Sequence, residues 1–444
     1  MTPPSLAIVA YYFPPDGGAG AQRPLKFAKY LSKMGWRVSV VTHPGKAAQS
    51  WTRPADDSLR EEAERDFPGE IIRVAEPAGA QRGTIDAMEA WSVATADAVK
   101  ELAQRGRADA VLYTMSPFSL VRSAACVHRS CPELPIILDF RDPWALDGWQ
   151  AQRTRWHWNR VFREMKVAVE SADGVIANTP ECGRLFREHF RGLPADRFAV
   201  ITNGYDAADF EGDAGAPTLW DAADGTLRIV FSGSLCTRVM RFYDGPRGRV
   251  KRLIGHAPER IDYSGRTLIH VMDAINRLRE AGEPLADRIR INVMGVEDAA
   301  DRESVEKAGL TERVHFHGYV AHDQSVRHIR LADALLLPLH GLPRGQRSRI
   351  VPGKTYEYLA TGRPILGLLP EGDARDFVEA SGRGAIADPC APQEIAVALR
   401  RLPGLVREFP VGCAPDESVR RFERERLTND LAEFVLRTCA RRPC

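Results

Sequence analysis

The chain has 444 residues, room for two or three domains at the usual ~150–200 residues each. Its 44% hydrophobic and 27% charged content is that of a soluble globular protein, and a net charge of +2 excludes a general electrostatic pull toward nucleic acid or acidic partners. The eight cysteines form no C-x-x-C pair and no His pair stands at zinc-finger spacing, so reduced thiols in a reducing compartment are expected.

The N-terminus, "MTPPSLAIVAYYFPPDGG", lacks the basic start and long apolar run of a signal peptide. No stretch approaches the ~20 apolar residues that span a bilayer. A cytoplasmic protein is expected, at most peripheral at the inner face of the cell membrane.

In chain order, "LAIVAYYF" (6–13) reads as a strand and "AQRPLKFAKYLSKMGW" (21–36) as a helix. Strands follow at "RVSVVT" (37–42), "DAVLYTM" (109–115), "PIILDF" (135–140), "GVIANT" (174–179) and "FAVITNG" (198–204), with helix-length segments such as 84–105 and 153–172 between them. Strands alternating with helices imply a parallel sheet covered on both faces. Residues 205–226, rich in Asp, Gly and Ala, break the rhythm and read as a linker.

A second series then begins: "LRIVFSGS" (227–234), "IRINVMG" (289–295), "VHFHGY" (314–319), "ADALLLPL" (332–339), "RPILGLL" (363–369) and "GAIADP" (384–389). The expected organisation is an N-terminal α/β domain over 1–210, a second over 211–415 and a C-terminal helix over 416–444. Residues 236–265, basic and poor in core positions, read as an inserted loop. Four tryptophans among arginines at 144–163 suit a membrane interface, stacking on sugars, or plain helix packing.

The most informative stretch is "PGKTYEYLATGRPILGL" (352–368). It is not the tail of a Walker A loop, because the first glycine of G-x-x-x-x-G-K-[ST] would fall on Ser348. What remains is a helix start, Gly353-Lys354-Thr355, at the carboxyl edge of a parallel sheet. Unpaired amides and the helix dipole favour an anion there, and Lys354 adds a charge. Glu357, one turn inside, is poorly placed for phosphate but suited to a vicinal diol such as a ribose; complementing the helix dipole is its simpler role.

This stretch resembles the donor-binding segment of retaining GT-B glycosyltransferases, specifically glycosyltransferase family 4. That family carries E-x7-E on this loop and helix, and Glu357 matches the second Glu, which binds ribose. The first Glu falls on Arg349, a departure from the pattern. "YYFPPDGGAGAQRPLKFAKYLSKMGWRVSVVT" (11–42), "ILDFRDPWA" (137–145), "ADGVIANTPE" (172–181), "VITNGYD" (200–206), "IVFSGSL" (229–235) and "VHFHGYV" (314–320) are similar to other family segments. Where the family often has an Arg and a Lys in the second domain, this chain has Ser234 and Arg266, and Arg238 is a candidate for the missing charge.

The resemblance implies an α/β GT-B fold: two Rossmann-like domains facing across a cleft, with a C-terminal helix crossing back to the first. It implies glycosyl transfer from a nucleotide diphosphate sugar, UDP-sugar favoured, with retention and without a metal or other cofactor. The acceptor would be a glycan, a lipid-linked or a small molecule, and no nucleic-acid partner is expected. Base and ribose are expected near Tyr319 and Glu357. The pyrophosphate is expected between Arg266, Lys354, the amides of Gly353 to Thr355, the Ser234 loop and the Gly17–Gly18 loop. Asp142 is the candidate acceptor contact or base, and peripheral membrane contact is assigned to 144–163 or 238–266. The rivals are a nucleotide-sugar epimerase on the same fold and a non-catalytic nucleotide-sugar-binding subunit.

Overall fold

The computed structural model describes residues 3–45, 56–78, 83–149, 151–212, 214–215, 218–220 and 225–441. The chain divides into a unit of Met1–Gln150, Trp156–Asp206 and Phe422–Cys444, and a second of Ala151–Arg155 and Ala207–Arg421.

In the first unit the strands are β1 (Ser5–Ala10), β2 (Arg37–Thr42), β3 (Glu70–Arg73), β4 (Ala110–Thr114), β5 (Ile136–Phe140), β6 (Gly174–Ala177) and β7 (Phe198–Val200). They pair in parallel in the order β3-β2-β1-β4-β5-β6-β7. β1 is buried along its whole length, as a strand covered by helices on both faces must be. The chain winds outward in both directions from β1 and β4, which pair in register Val9 to Tyr113. In such a sheet, ligands bind at the carboxyl ends of the two strands where the order reverses.

The helix Ala19–Lys33 carries a buried cation network on one face. Arg23 grips Asp139 at the end of β5 through two bonds of 2.8 and 2.7 Å and also donates to the carbonyls of Ile201 and Thr202. Lys26 and Lys29 contact Glu62 and Asp206, and the Tyr30 hydroxyl donates to Asp206 at 2.5 Å. Burial alone would raise the Asp206 carboxyl, but Lys26, Tyr30 and Lys29 override it and hold it well below the usual carboxylate range.

The C-terminal helix Arg424–Ala440 belongs to the first unit and shares its core with Leu25, Ala28 and Leu31 through Leu427, Leu431, Phe434 and Val435. It begins later than expected. Glu417–Arg420 is a separate short helix of the second unit, so 416–444 is not one element. The edge strand β3 was not anticipated, because its "EIIR" is short and half-exposed and gives no buried-strand pattern.

The tryptophan stretch is mixed: residues 143–148 are buried, Trp149 and Trp158 are half-buried, and Arg153, Arg155 and Arg160 are exposed. Trp144 is buried and stacks on Phe118 at 5.1 Å, and Trp158 donates to the Ala145 carbonyl, leaving Trp156 exposed.

In the second unit the strands are β8 (Leu227–Ser232), β9 (Ile289–Met294), β10 (Val314–Phe316), β11 (Ala334–Pro338), β12 (Ile365–Leu368) and β13 (Gly384–Ala387). They pair in parallel as β10-β9-β8-β11-β12-β13, so the order reverses between β8 and β11. Residues 236–265, expected as a loop, form the helices Thr237–Asp244 and Pro246–Ile254, followed by the 3-10 turn Tyr263–Arg266. Alternating cations hid this from the sequence, since only Thr237, Tyr243 and Gly248 of the two helices are buried.

Candidate functional site

The reversal point of the second sheet determines which side chains meet. The loop leaving β8 carries Gly233 and Ser234, and the longer loop leaving β11 ends in the helix Gly353–Ala360. Tyr358 on that helix accepts the Ser232 N–H at 2.8 Å, which fixes the helix against the end of β8. Among the described residues no side chain caps this helix, and its first turn holds no acid. Its start therefore keeps the positive end of its dipole uncompensated.

Lys354, the second residue of the helix, lies with its ammonium 3.8 Å from the centroid of the Phe231 ring. Burial, then the charge of Arg266, pushes its pKa well below the ordinary lysine value, against the opposing pull of Glu357. Arg266 closes the turn Tyr263–Arg266, and its carbonyl accepts the Cys236 N–H at 3.0 Å. A Cβ on Gly265 would come within 2.7 Å of the Leu339 carbonyl, so the turn is seated tightly on the loop after β11. His340 in that loop is fully buried and pushed down to about 3 by burial and by Arg266, so it is neutral.

Gly233 is required here for two separate reasons. Its φ of +132° disfavours any side chain, and a Cβ there would lie 2.4 Å from the Lys354 Nζ. Gly233→Ala is therefore expected to displace the Lys354 ammonium. Activity should fall by about tenfold or more while the melting temperature drops by only a few degrees, read by steady-state rates beside a thermal melt.

Glu357 retains some exposure and lies 4.0 Å from His322 Nδ1, while His322 Nε2 meets Asp209 at 3.2 Å. His322 is the first residue of the helix His322–Leu331, three residues after Tyr319. It was missed in the sequence because a lone histidine has no diagnostic spacing. Tyr319, in the loop after β10, is exposed. Arg349 forms a 3.0 Å ion pair with the buried Glu259. The position that lacks the expected carboxylate is thus occupied by an Arg–Glu pair, its acid coming from the segment read as an insert.

Thr355 and Arg238 each have a neighbour within their own unit. The Thr355 amide donates to the Pro352 carbonyl at 2.9 Å and its hydroxyl is buried, so Thr355 is turned into the unit while Gly353 and Lys354 remain at the helix tip. Arg238 is exposed and lies 3.7 Å from Asp298, and Ser234 is exposed as well.

In the first unit, Gly17 and Gly18 lie between β1 and the helix Ala19–Lys33. Gly18 is the N-cap of that helix with φ +84°, a value that favours glycine, and no atom lies within 4 Å of the place a Cβ would take. Asp142, two residues past β5, has its pKa raised by burial, with Arg141 pulling the other way. The Arg141 guanidinium donates to the Gly20 carbonyl at 3.1 Å, and Trp144 holds a φ of 45°, rare for a bulky residue. The Asp142 loop is thus tied to the glycine loop within one unit.

Two doubly wound parallel sheets of this order, each with a glycine-bearing loop at its reversal point, are the α/β architecture of the GT-B fold. Residues 21–209 match the model of Glycosyltransferase Family 4, and residues 259–403 match that of Glycosyl transferases group 1. The chain belongs to the family 4 glycosyltransferases.

Among solved structures it is similar to Anabaena HepE in complex with UDP, at 16% identity and a TM-score of 0.61, covering 98% of this chain and 100% of that one. It is also similar to the sucrose-phosphate synthase of Thermosynechococcus elongatus, at 15% identity and 0.63, covering 99% and 100%. A glycosyltransferase from Rickettsia africae is similar at 10% identity and 0.63, covering 99% of each chain. No curated protein sequence matches.

Proposed function

We propose that the second unit holds a nucleoside diphosphate sugar, with its diphosphate at the tip of the helix Gly353–Ala360 and its ribose on Glu357. The observation that carries this reading is the pair Lys354 and Arg266. Two cations whose charges oppose each other, beside an uncapped helix start, form a site whose repulsion a diphosphate would relieve. Glu357, one turn further on, is spaced for the ribose diol, with His322 beside it. Tyr319 is the candidate surface for the base.

As the bond between sugar and diphosphate breaks, negative charge grows on the leaving group. The Gly353 and Lys354 amides, the Lys354 ammonium and the Arg266 guanidinium would stabilise it without reorganising. That chemistry needs no metal, and retention of configuration is the course the family resemblance implies. Uridine is the favoured base, in keeping with the UDP complex of HepE. On the first unit, Asp142 is the candidate contact for the acceptor hydroxyl, because its raised pKa brings it closer to that of a working base.

Calorimetric titration with UDP-, GDP- and ADP-sugars tests the donor assignment. Glu357→Gln should weaken the best binder by about tenfold or more, the loss expected when charged hydrogen bonds to a diol are removed. Unchanged affinity would remove Glu357 from the ribose site. Conversion of the donor to an isomer without any acceptor would favour the epimerase reading instead.

A further inference from the structure

The helices Thr237–Asp244 and Pro246–Ile254 form the most unusual surface of the second unit. Five of the twelve large hydrophobic side chains exposed among the described residues fall on them: Val239, Phe242, Val250, Leu253 and Ile254. Leu253 is 86% and Ile254 60% exposed. Val250, Leu253 and Ile254 stand at i, i+3 and i+4, so they share one helix face. Around them are Arg238, Arg241, Arg247, Arg249, Lys251 and Arg252, with Asp244 the one acid on the two helices, while Arg241 pairs with Glu303 at 2.7 Å and Arg238 lies 3.7 Å from Asp298 in the neighbouring segment. The pair thus carries +5 where the whole chain carries +2. Arg247 and Arg249 are exposed, and among the described residues neither has a carboxylate within ion-pair distance.

The surface is rigidly mounted. A Cβ on Gly248 would lie 2.1 Å from the Phe242 carbonyl, so the two helices cross in close contact. Tyr243 stacks on Tyr263 at 4.8 Å, with Lys251 and Arg252 over its ring. The first helix starts three residues after Ser234, and the Cys236 N–H is bonded to the Arg266 carbonyl.

We propose that this helical pair docks the protein on an anionic lipid bilayer. Clustered Lys and Arg around exposed aliphatic and aromatic groups suit a surface with anionic headgroups above an apolar layer. A second copy of the chain would bring two basic surfaces together, and a nucleic-acid backbone would leave the aliphatic face in water. Among the described residues no helix is long and apolar enough to cross a membrane, so the contact is peripheral. Docking would hold the Ser234 and Arg266 segments near the headgroup layer. This inference stands whether or not the donor assignment holds.

The test is co-sedimentation of the full chain with vesicles of phosphatidylcholine alone and with a third phosphatidylglycerol. Binding to the anionic vesicles, weakened but not abolished by salt, is expected. Arg247→Glu with Arg249→Glu, and separately Leu253→Asp with Ile254→Asp, should each reduce it by about tenfold or more with unchanged melting temperature. No binding of the native chain to anionic vesicles, binding that ignores both double variants, or preferential binding to duplex DNA or polyglutamate would each overturn the proposal.

Discussion

Lys354→Met is expected to lower kcat/KM for sugar transfer by about 10²–10³-fold, the usual loss when one preorganised charge-stabilising donor is removed. The melting temperature should stay level or rise. Methionine keeps the apolar stem over Phe231, while the ammonium it removes is disfavoured by burial and by Arg266. A group that destabilises its own surroundings is the signature of a site built for a ligand rather than for the fold. Rate measurements beside a thermal melt separate the two roles. A large loss of melting temperature would make Lys354 a structural residue.

The largest loss of stability should follow Asp139→Ala. Arg23 and Asp139 both have fully buried side chains, and the substitution leaves the guanidinium uncompensated in the interior of the first unit. Breaking such a pair from one side costs about 3–5 kcal/mol. For a unit of this size that lowers the melting temperature by roughly 6 °C or more. Arg23→Met combined with Asp139→Leu should recover part of the loss, because no buried charge then remains, but not all of it. The carbonyls of Ile201 and Thr202 would lose their donor. Differential scanning calorimetry of the single and the double variant reads the difference. Equal losses in the single and double variants would mean that the ion pair is not the source.

The two sheets were legible because a parallel strand buried on both faces leaves a continuous apolar run, as "SLAIVA" and "ALLLP" do. The helix start at Gly353 and the carboxylate at Glu357 were legible for a local reason: both are properties of eight consecutive residues. What escaped the sequence is non-local. Arg349 and Glu259 lie 90 positions apart, and nothing in either neighbourhood announces their pairing. The approach of Lys354 to Gly233 depends on β8 and β11 being neighbours, which is a fact of topology. Thr355 looked like a phosphate ligand by position, yet the first turn of the helix draws its amide back to Pro352. The tryptophans of 144–163 left three readings open because their chemistry is amphipathic; Trp144 stacks on Phe118 inside the core, while Trp156 is exposed.

The central claim is that the tip of the helix Gly353–Ala360 is the diphosphate anchor. A crystal structure of the full chain soaked with UDP tests it most directly. The account predicts phosphate oxygens within hydrogen-bonding distance of the Gly353 and Lys354 amides, the Lys354 ammonium drawn off the Phe231 ring, and the ribose hydroxyls on Glu357. UDP bound elsewhere, with Lys354 still over Phe231, would contradict it.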